Sequence, residues 1–176
     1  MITIIYLIIQ LLFAIFFFYL CLAFLTGAPF VPSTNSAATT MIALSQIKSG
    51  MTIYDLGSGN GKLLHLAAQK GAVAIGYEIN PMLVVFSNIR ALFSPERKQM
   101  ITYWKNFWSA NITKADVLFV YLLPWRMETL EKKLMKEAKP GAIIVSNSFI
   151  FPHLDCIRKD EANHIYVFKI SRKATI

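Results

Sequence analysis

A chain of 176 residues is long enough for one domain, and 55% hydrophobic residues exclude an intrinsically disordered chain. Two cysteines, Cys21 and Cys156, exclude a disulfide-built scaffold, and the three histidines show no ligand spacing, so no metal site is expected. All 18 Lys/Arg and all 10 Asp/Glu lie at or after Lys48, which assigns the net charge of +8 to the part of the chain beyond that point.

The apolar excess sits at the start. No side chain in residues 2–25 is charged, and at about 1.5 Å per residue such a helix spans roughly 36 Å, enough to cross a bilayer core with some tilt. Residues 1–26 therefore read as a transmembrane anchor. A cleaved signal peptide fits less well, because no basic n-region precedes the run and the run exceeds the about 7–15 residues of an h-region. The basic remainder then belongs on the cytoplasmic side, or the matrix side of a mitochondrion, under the positive-inside bias. A single-pass membrane protein is expected, its basic face suited to anionic lipid headgroups rather than nucleic acid.

Residues 27–50 form a connector and a leading helix. Two prolines stiffen GAPFVPSTNS, residues 33–36 offer helix caps, and Met41, Leu44 and Ile47 predict an amphipathic helix over 37–47, ended by Gly50. The globular domain, 51–176, then alternates strands and helices: strand 51–56, helix 62–70, strand 73–78, helix 81–92, strands 101–105 and 117–121, helix 127–138, strand 142–146. That order predicts a parallel sheet. Asn80-Pro81 is a cap followed by proline at the first helical position, and Met82, Val85, Phe86 and Ile89 then share one face. Met127, Leu130 and Leu134 point the later helix inward. The more alternating segment 165–170 predicts an antiparallel edge strand, paired with a short strand near 155–158.

The chemistry should gather at the carboxyl ends of the strands. After the first comes YDLGSGNGK, residues 54–62, with glycines at 57, 59 and 61. Lys62 stands where a dinucleotide fingerprint needs its third glycine, and the loop is one residue short of a P-loop. Asp55 directly before G-x-G-x-G suits S-adenosylmethionine (SAM), whose ammonium and sulfonium need a nearby carboxylate. Glu78 ends the second strand, where a carboxylate can accept both ribose hydroxyls or cap the following helix. Asn106 and Phe107 end the third, where an amide and a backbone N–H can meet adenine. Tyr121-Leu122-Leu123-Pro124 ends the fourth, where outward carbonyls and a phenol suit an amine acceptor, since proline contributes no N–H. Asp116 starts that strand and reads as structural. His153 is a candidate proton acceptor, though solvent can serve as well.

The set PFVPS, DLGSGNGK, GYEINP, NFW, VYLLP and FPH, in this order after one N-terminal apolar segment, resembles the membrane-anchored seven-β-strand protein-lysine methyltransferases of mitochondria and prokaryotes. Their animal members act on the adenine nucleotide translocase and on the c-subunit of ATP synthase. The resemblance implies an α/β, Rossmann-like SAM-dependent methyltransferase, mostly parallel with an antiparallel last strand, behind one transmembrane helix. It implies Asp55, Gly57, Ser58 and Gly59 as the SAM loop, Glu78 as the ribose ligand, and Asn106 and Phe107 as the adenine pair. Pro29, Phe30, Pro32 and Ser33 would lie beside the cofactor, and Tyr121, Leu123 and Pro124 on the acceptor side. The implied activity is methyl transfer to a lysine of a membrane or membrane-adjacent protein, with the bilayer as second partner. A small-molecule or lipid methyltransferase, or a noncatalytic SAM-binding adaptor, would share the cofactor residues. Two positions depart from the pattern: Asn60 where an aspartate is usual, and Asn106 where many SAM enzymes use aspartate.

Overall fold

The computed structural model describes residues 1–26 and 31–171. Helix α1 (Ile2–Thr26) carries no charged residue in its first or last turn, and its most apolar stretch is 0% buried. With no charged residue and no core around that stretch, the helix is long enough and apolar enough to cross a membrane.

The remaining elements alternate as their hydrophobic periods predict. They are α2 (Asn35–Ser45), β1 (Thr52–Leu56), α3 (Lys62–Ala68), β2 (Val73–Glu78), α4 (Pro81–Leu92), β3 (Met100–Trp104), a 3-10 turn (Phe107–Ser109), β4 (Val117–Val120), α5 (Pro124–Glu137), β5 (Ile143–Asn147), β6 (Cys156–Asp160) and β7 (Ile165–Lys169). Seven strands make one sheet in the order β3-β2-β1-β4-β5-β7-β6, with the first five in the list parallel and β7 antiparallel to both its neighbours. The order reverses between β1 and β4, which opens a crevice beyond their carboxyl ends.

Side chains on the two faces of the sheet build two cores. Tyr54, Leu118 and Ile144 point to the face covered by Met127, Leu130 and Leu134 of α5, as their spacing predicts. Ile53, Val117 and Val145 point to the other, under Ala38 and Met41 of α2 and Leu64 and Ala67 of α3. Thr34 caps α2 by accepting from Ala37 N at 3.1 Å. The helix stops earlier than predicted, because Gln46 turns left-handed (φ 55°) four residues before Gly50.

Two further expectations change, and the shared face of α4 proves to be its outer one. Segment 165–170 is not an edge: β7 lies between β5 and β6, with Ile165, Val167 and Phe168 buried, and β6 takes the edge. Helix α5 begins at Pro124 rather than residue 127, since proline's fixed φ suits the first helical position. In α4 the inward residues are Val84, Ser87 and Ala91, while Met82, Val85, Phe86 and Ile89 face outward. The reason lies in the edge strand. Asn88 donates its amide to Thr102 O and accepts from Thr102 N, both at 2.9 Å, and Ser87 Oγ meets Thr102 Oγ1 at 2.7 Å. An exposed strand edge needs such partners, so α4 turns its polar and small residues inward.

Candidate active site

The loop after β1 is built by backbone geometry. Gly57, Gly59 and Gly61 all have positive φ (96°, 52° and 74°), which L side chains rarely adopt. At Gly61, which opens α3, a Cβ would also lie 2.2 Å from Ser87 Oγ, so the loop, α3 and α4 meet only because no side chain is present. Gly57 N and Ser58 N donate to Tyr77 O at 2.9 and 3.1 Å, pinning the loop to the end of β2. The Ser58 hydroxyl turns beneath the loop toward Gly76 and is buried, so it is not offered to a ligand.

Asp55 and Glu78 end adjacent strands and line one cleft with the loop, a space of about 570 Å³ that is open to solvent. Both carboxylates are buried, and no ion pair among the described residues includes either. Burial pushes the Asp55 carboxyl up to about 7, with repulsion from Glu78 adding to it. Glu78 is also raised by burial, against three backbone donors that pull it down: Gly59 N to one oxygen and Ile79 N and Asn80 N to the other, each at 2.8 Å. These take three of roughly four acceptor sites on the carboxylate. Glu78 thus holds the glycine loop to the start of α4 before any ligand arrives.

The connector closes one side of this cleft. Val31, Pro32 and Ser33 line it, and Lys62 Nζ donates to Ser33 O at 2.5 Å and to Asn35 Oδ1 at 3.2 Å. Asn147, buried at the end of β5, reaches Ser33 Oγ at 3.3 Å. Pro29 and Phe30 lie outside the described residues.

Beside the cleft is a second, apolar cavity of about 320 Å³ lined by Val31, Tyr121, Leu122, Leu123 and Phe149. Val31 and Tyr121 belong to both walls, so the two spaces meet at these side chains. A cation-seeking pocket opens beside an oily one.

Residues 55–158 match the family model described as the ANTKMT methyltransferase domain. The chain belongs to that family. The human lysine N-methyltransferase of the ATP synthase c-subunit is 33% identical over 125 residues, 71% of this chain and 53% of the relative. A protein-lysine N-methyltransferase of Saccharolobus islandicus is 30% identical over 132 residues, 73% of this chain and 81% of the relative. The chain spans about half the length of the vertebrate relatives it matches. The crystal structure of an RNA methyltransferase from Salinibacter ruber in complex with S-adenosyl-L-homocysteine aligns with a TM-score of 0.77 at 27% identity, covering 81% of this chain and 95% of that one.

The cofactor of this family is SAM, and the cleft fits it. Two buried carboxylates that enter no ion pair among the described residues suit an ammonium, a sulfonium and ribose hydroxyls, and the glycines keep Cβ atoms out of a ligand's way. Not every residue that the ANTKMT-like motifs single out gathers there. Asn106 and Phe107 follow β3 outside the cleft lining: Asn106 Oδ1 accepts from Trp108 N at 3.1 Å, and Phe107 is buried in the core against Trp108. Pro124 lines neither cavity, because it starts α5. His153 lines neither, and its Nδ1 faces Glu131 of α5 at 3.5 Å. Asp116 is structural, accepting from Thr52 N at 2.7 Å and pairing with Lys139 at 2.5 Å.

Sequence reasoning missed Lys62, Asn147 and Phe149. Lys62 was visible as a cation in the first turn of a glycine-led helix, and Asn147 as a polar residue ending an apolar strand. Phe149 carries no sequence signal that separates it from core.

Proposed function

We propose that this chain is a SAM-dependent protein-lysine N-methyltransferase, held on a membrane by α1 with its domain on the cytoplasmic or matrix side, and acting on a lysine of a membrane or membrane-adjacent protein. The observation that carries this reading is the junction of the two cavities at Tyr121 and Val31, which sets an apolar cavity of about 320 Å³ against a cleft lined by two carboxylates that enter no ion pair among the described residues. The lysine methyltransferase relatives support the same acceptor.

Bound SAM supplies an electrophilic methyl group on a positively charged sulfonium. Asp55 and Glu78 hold the charged and hydroxylated parts of the cofactor, and the strap from Lys62 and Asn147 to Ser33 keeps the connector against the cleft. Leu122, Leu123 and Phe149 exclude water from the approach. A lysine amine attacks only when neutral, and with a pKa of about 10.4 only on the order of one in a thousand is neutral near pH 7.4. An apolar wall disfavours the ammonium and raises that fraction, so this site needs no dedicated base. Alignment of nitrogen, carbon and sulfur then supplies most of the rate.

The test is to incubate the full chain and labelled SAM with membranes from cells lacking this protein. A protease-sensitive, RNase-resistant label on a lysine supports the proposal. Label in lipid or RNA, or SAM binding without transfer, refutes it.

A further inference from the structure

Helix α4 presents an apolar face that nothing in the described chain covers. Met82, Val85, Phe86, Ile89 and Leu92 follow helical spacing along its outer side, and Phe93 extends the row. Their exposure runs from 50% at Ile89 to 85% at Phe93. Trp104, 65% exposed at the end of the edge strand, is tied to the residue just before the cap of this helix, its indole donating to Ile79 O at 2.9 Å. Soluble proteins rarely leave a row this long bare, and the inward side of α4 is already committed to Thr102, so no small rotation of the helix would bury the row.

The charges around this row decide what covers it. Arg90, Arg97, Lys98 and Lys105 are exposed in the same stretch, against a single half-buried carboxylate, Glu96, which is already bonded to Ser94. Aromatic and aliphatic side chains on one helical face, flanked by Arg and Lys, match a helix that lies in the headgroup layer of an anionic bilayer. A bilayer is also what the uncovered, membrane-length α1 calls for, and that helix ends at Thr26, shortly before the connector residues docked on the cleft.

We infer that α4 is a second membrane contact, lying flat on an anionic lipid surface with Met82, Val85, Phe86, Ile89, Leu92 and Phe93 inserted and Trp104 at the interface. The bilayer contact then reaches the catalytic cleft directly. Glu78, Asn80 and Met82 are close in sequence, and the Glu78 carboxylate holds both Asn80 N and the glycine loop, so a helix fixed on the membrane fixes the orientation of the cleft beside it. An acceptor lysine would enter from the side, along the membrane surface. This inference rests on the membrane placement proposed above and not on methyl transfer.

The experiment uses the full chain, with Cys21 and Cys156 replaced by serine, in nanodiscs whose lipids are partly anionic and carry nitroxide quenchers. A fluorophore is attached at Ile89→Cys on α4 or, as control, at Lys132→Cys on the exposed side of α5. Several-fold stronger quenching at position 89 than at 132, lost on adding Phe86→Glu and weakened in neutral lipid, is the expected result. Because Phe86 is exposed, the variant should keep its fold and its SAM binding, both of which are measured alongside. Equal quenching at the two positions overturns the inference, as does shielding of position 89 only in discs holding two copies, which would assign the face to a second chain. Absence of methyl transfer with position 89 still quenched would fail the enzymatic reading and leave this one standing.

Discussion

Asp55→Asn separates what the cleft costs the fold from what it gives the ligand. In the folded protein the Asp55 carboxyl is raised from 3.8 to about 7 by burial and by Glu78, so folding favours its protonated form. That contribution is complete below the unfolded pKa, near 4, and is lost as pH rises to about 7; above that, the folded chain carries a buried charge. At 1.36 kcal/mol per pKa unit, a shift of about three units sets a ceiling of about 4 kcal/mol. The asparagine variant, isosteric but never ionised, should match the parent near pH 4 and exceed it at pH 8 without cofactor. For a chain of this size each kcal/mol is roughly 2–4 °C in Tm, so a gain of several degrees is expected. SAM binding should move the other way. The parent must release the Asp55 proton to face a cation, so its affinity should fall by up to about tenfold for each pH unit below 7, while the variant binds weakly at every pH. Thermal unfolding in detergent at pH 5 and 8, with calorimetric SAM titrations over the same range, checks both halves. A variant less stable than the parent at pH 8, or a parent affinity flat between pH 5.5 and 8, would refute the reasoning.

Tyr121→Phe should lower turnover while leaving SAM affinity nearly intact, read from kcat and a direct titration; equal loss of both would assign the phenol to the cofactor side. Lys62→Met removes the donors to Ser33 O and Asn35 Oδ1, and at about 1 kcal/mol per net hydrogen bond should weaken SAM binding roughly fivefold or more without unfolding the domain. Asn88→Ala leaves both backbone groups of Thr102 without their side-chain partner and should cost about 1–3 kcal/mol, with faster hydrogen exchange at that amide. A flexible insert of about 20 residues after Thr26 adds a typical span of roughly 25 Å, and labelling of a membrane substrate in vesicles should fall while SAM binding holds.

What the sequence made legible was backbone chemistry at strand ends. Asp55, the glycine loop and Glu78 stand out because glycines at alternate positions open the backbone to a ligand and carboxylates end the two strands beside them, although Glu78 also holds the start of α4. The apolar cavity was only half legible: Tyr121 and Leu123 follow the end of a strand, but Leu122 and Phe149 are residues that a core uses equally. The helical period located α4 correctly and concealed its orientation. Apolar spacing identifies a face, and only the demand of Thr102 for Asn88 and Ser87 decides that the face turns out. The strap to Ser33 joins residues far apart in the chain, and no local pattern announces such a bond.

The charge distribution poses a conflict that the cleft resolves locally. Sequence charge totals +8, yet both proposed reactants approach as cations, a sulfonium cofactor with its ammonium and a lysine side chain. A positive domain repels each, but beyond about 8 Å surface charges are largely screened at physiological salt. Inside the cleft Asp55 and Glu78 are buried, while the one cation in its lining, Lys62, is turned to Ser33 O and Asn35 Oδ1, and burial strengthens the pull of an ionised carboxylate on a cation. The excess of Lys and Arg is therefore free to serve the outside of the domain, where the proposed contact with an anionic lipid surface would use it. Neutralising Arg97 and Lys98 together should accordingly weaken α4 contact with anionic vesicles and leave SAM affinity unchanged. A matching loss of SAM affinity would mean that the outer charges shape the cleft after all.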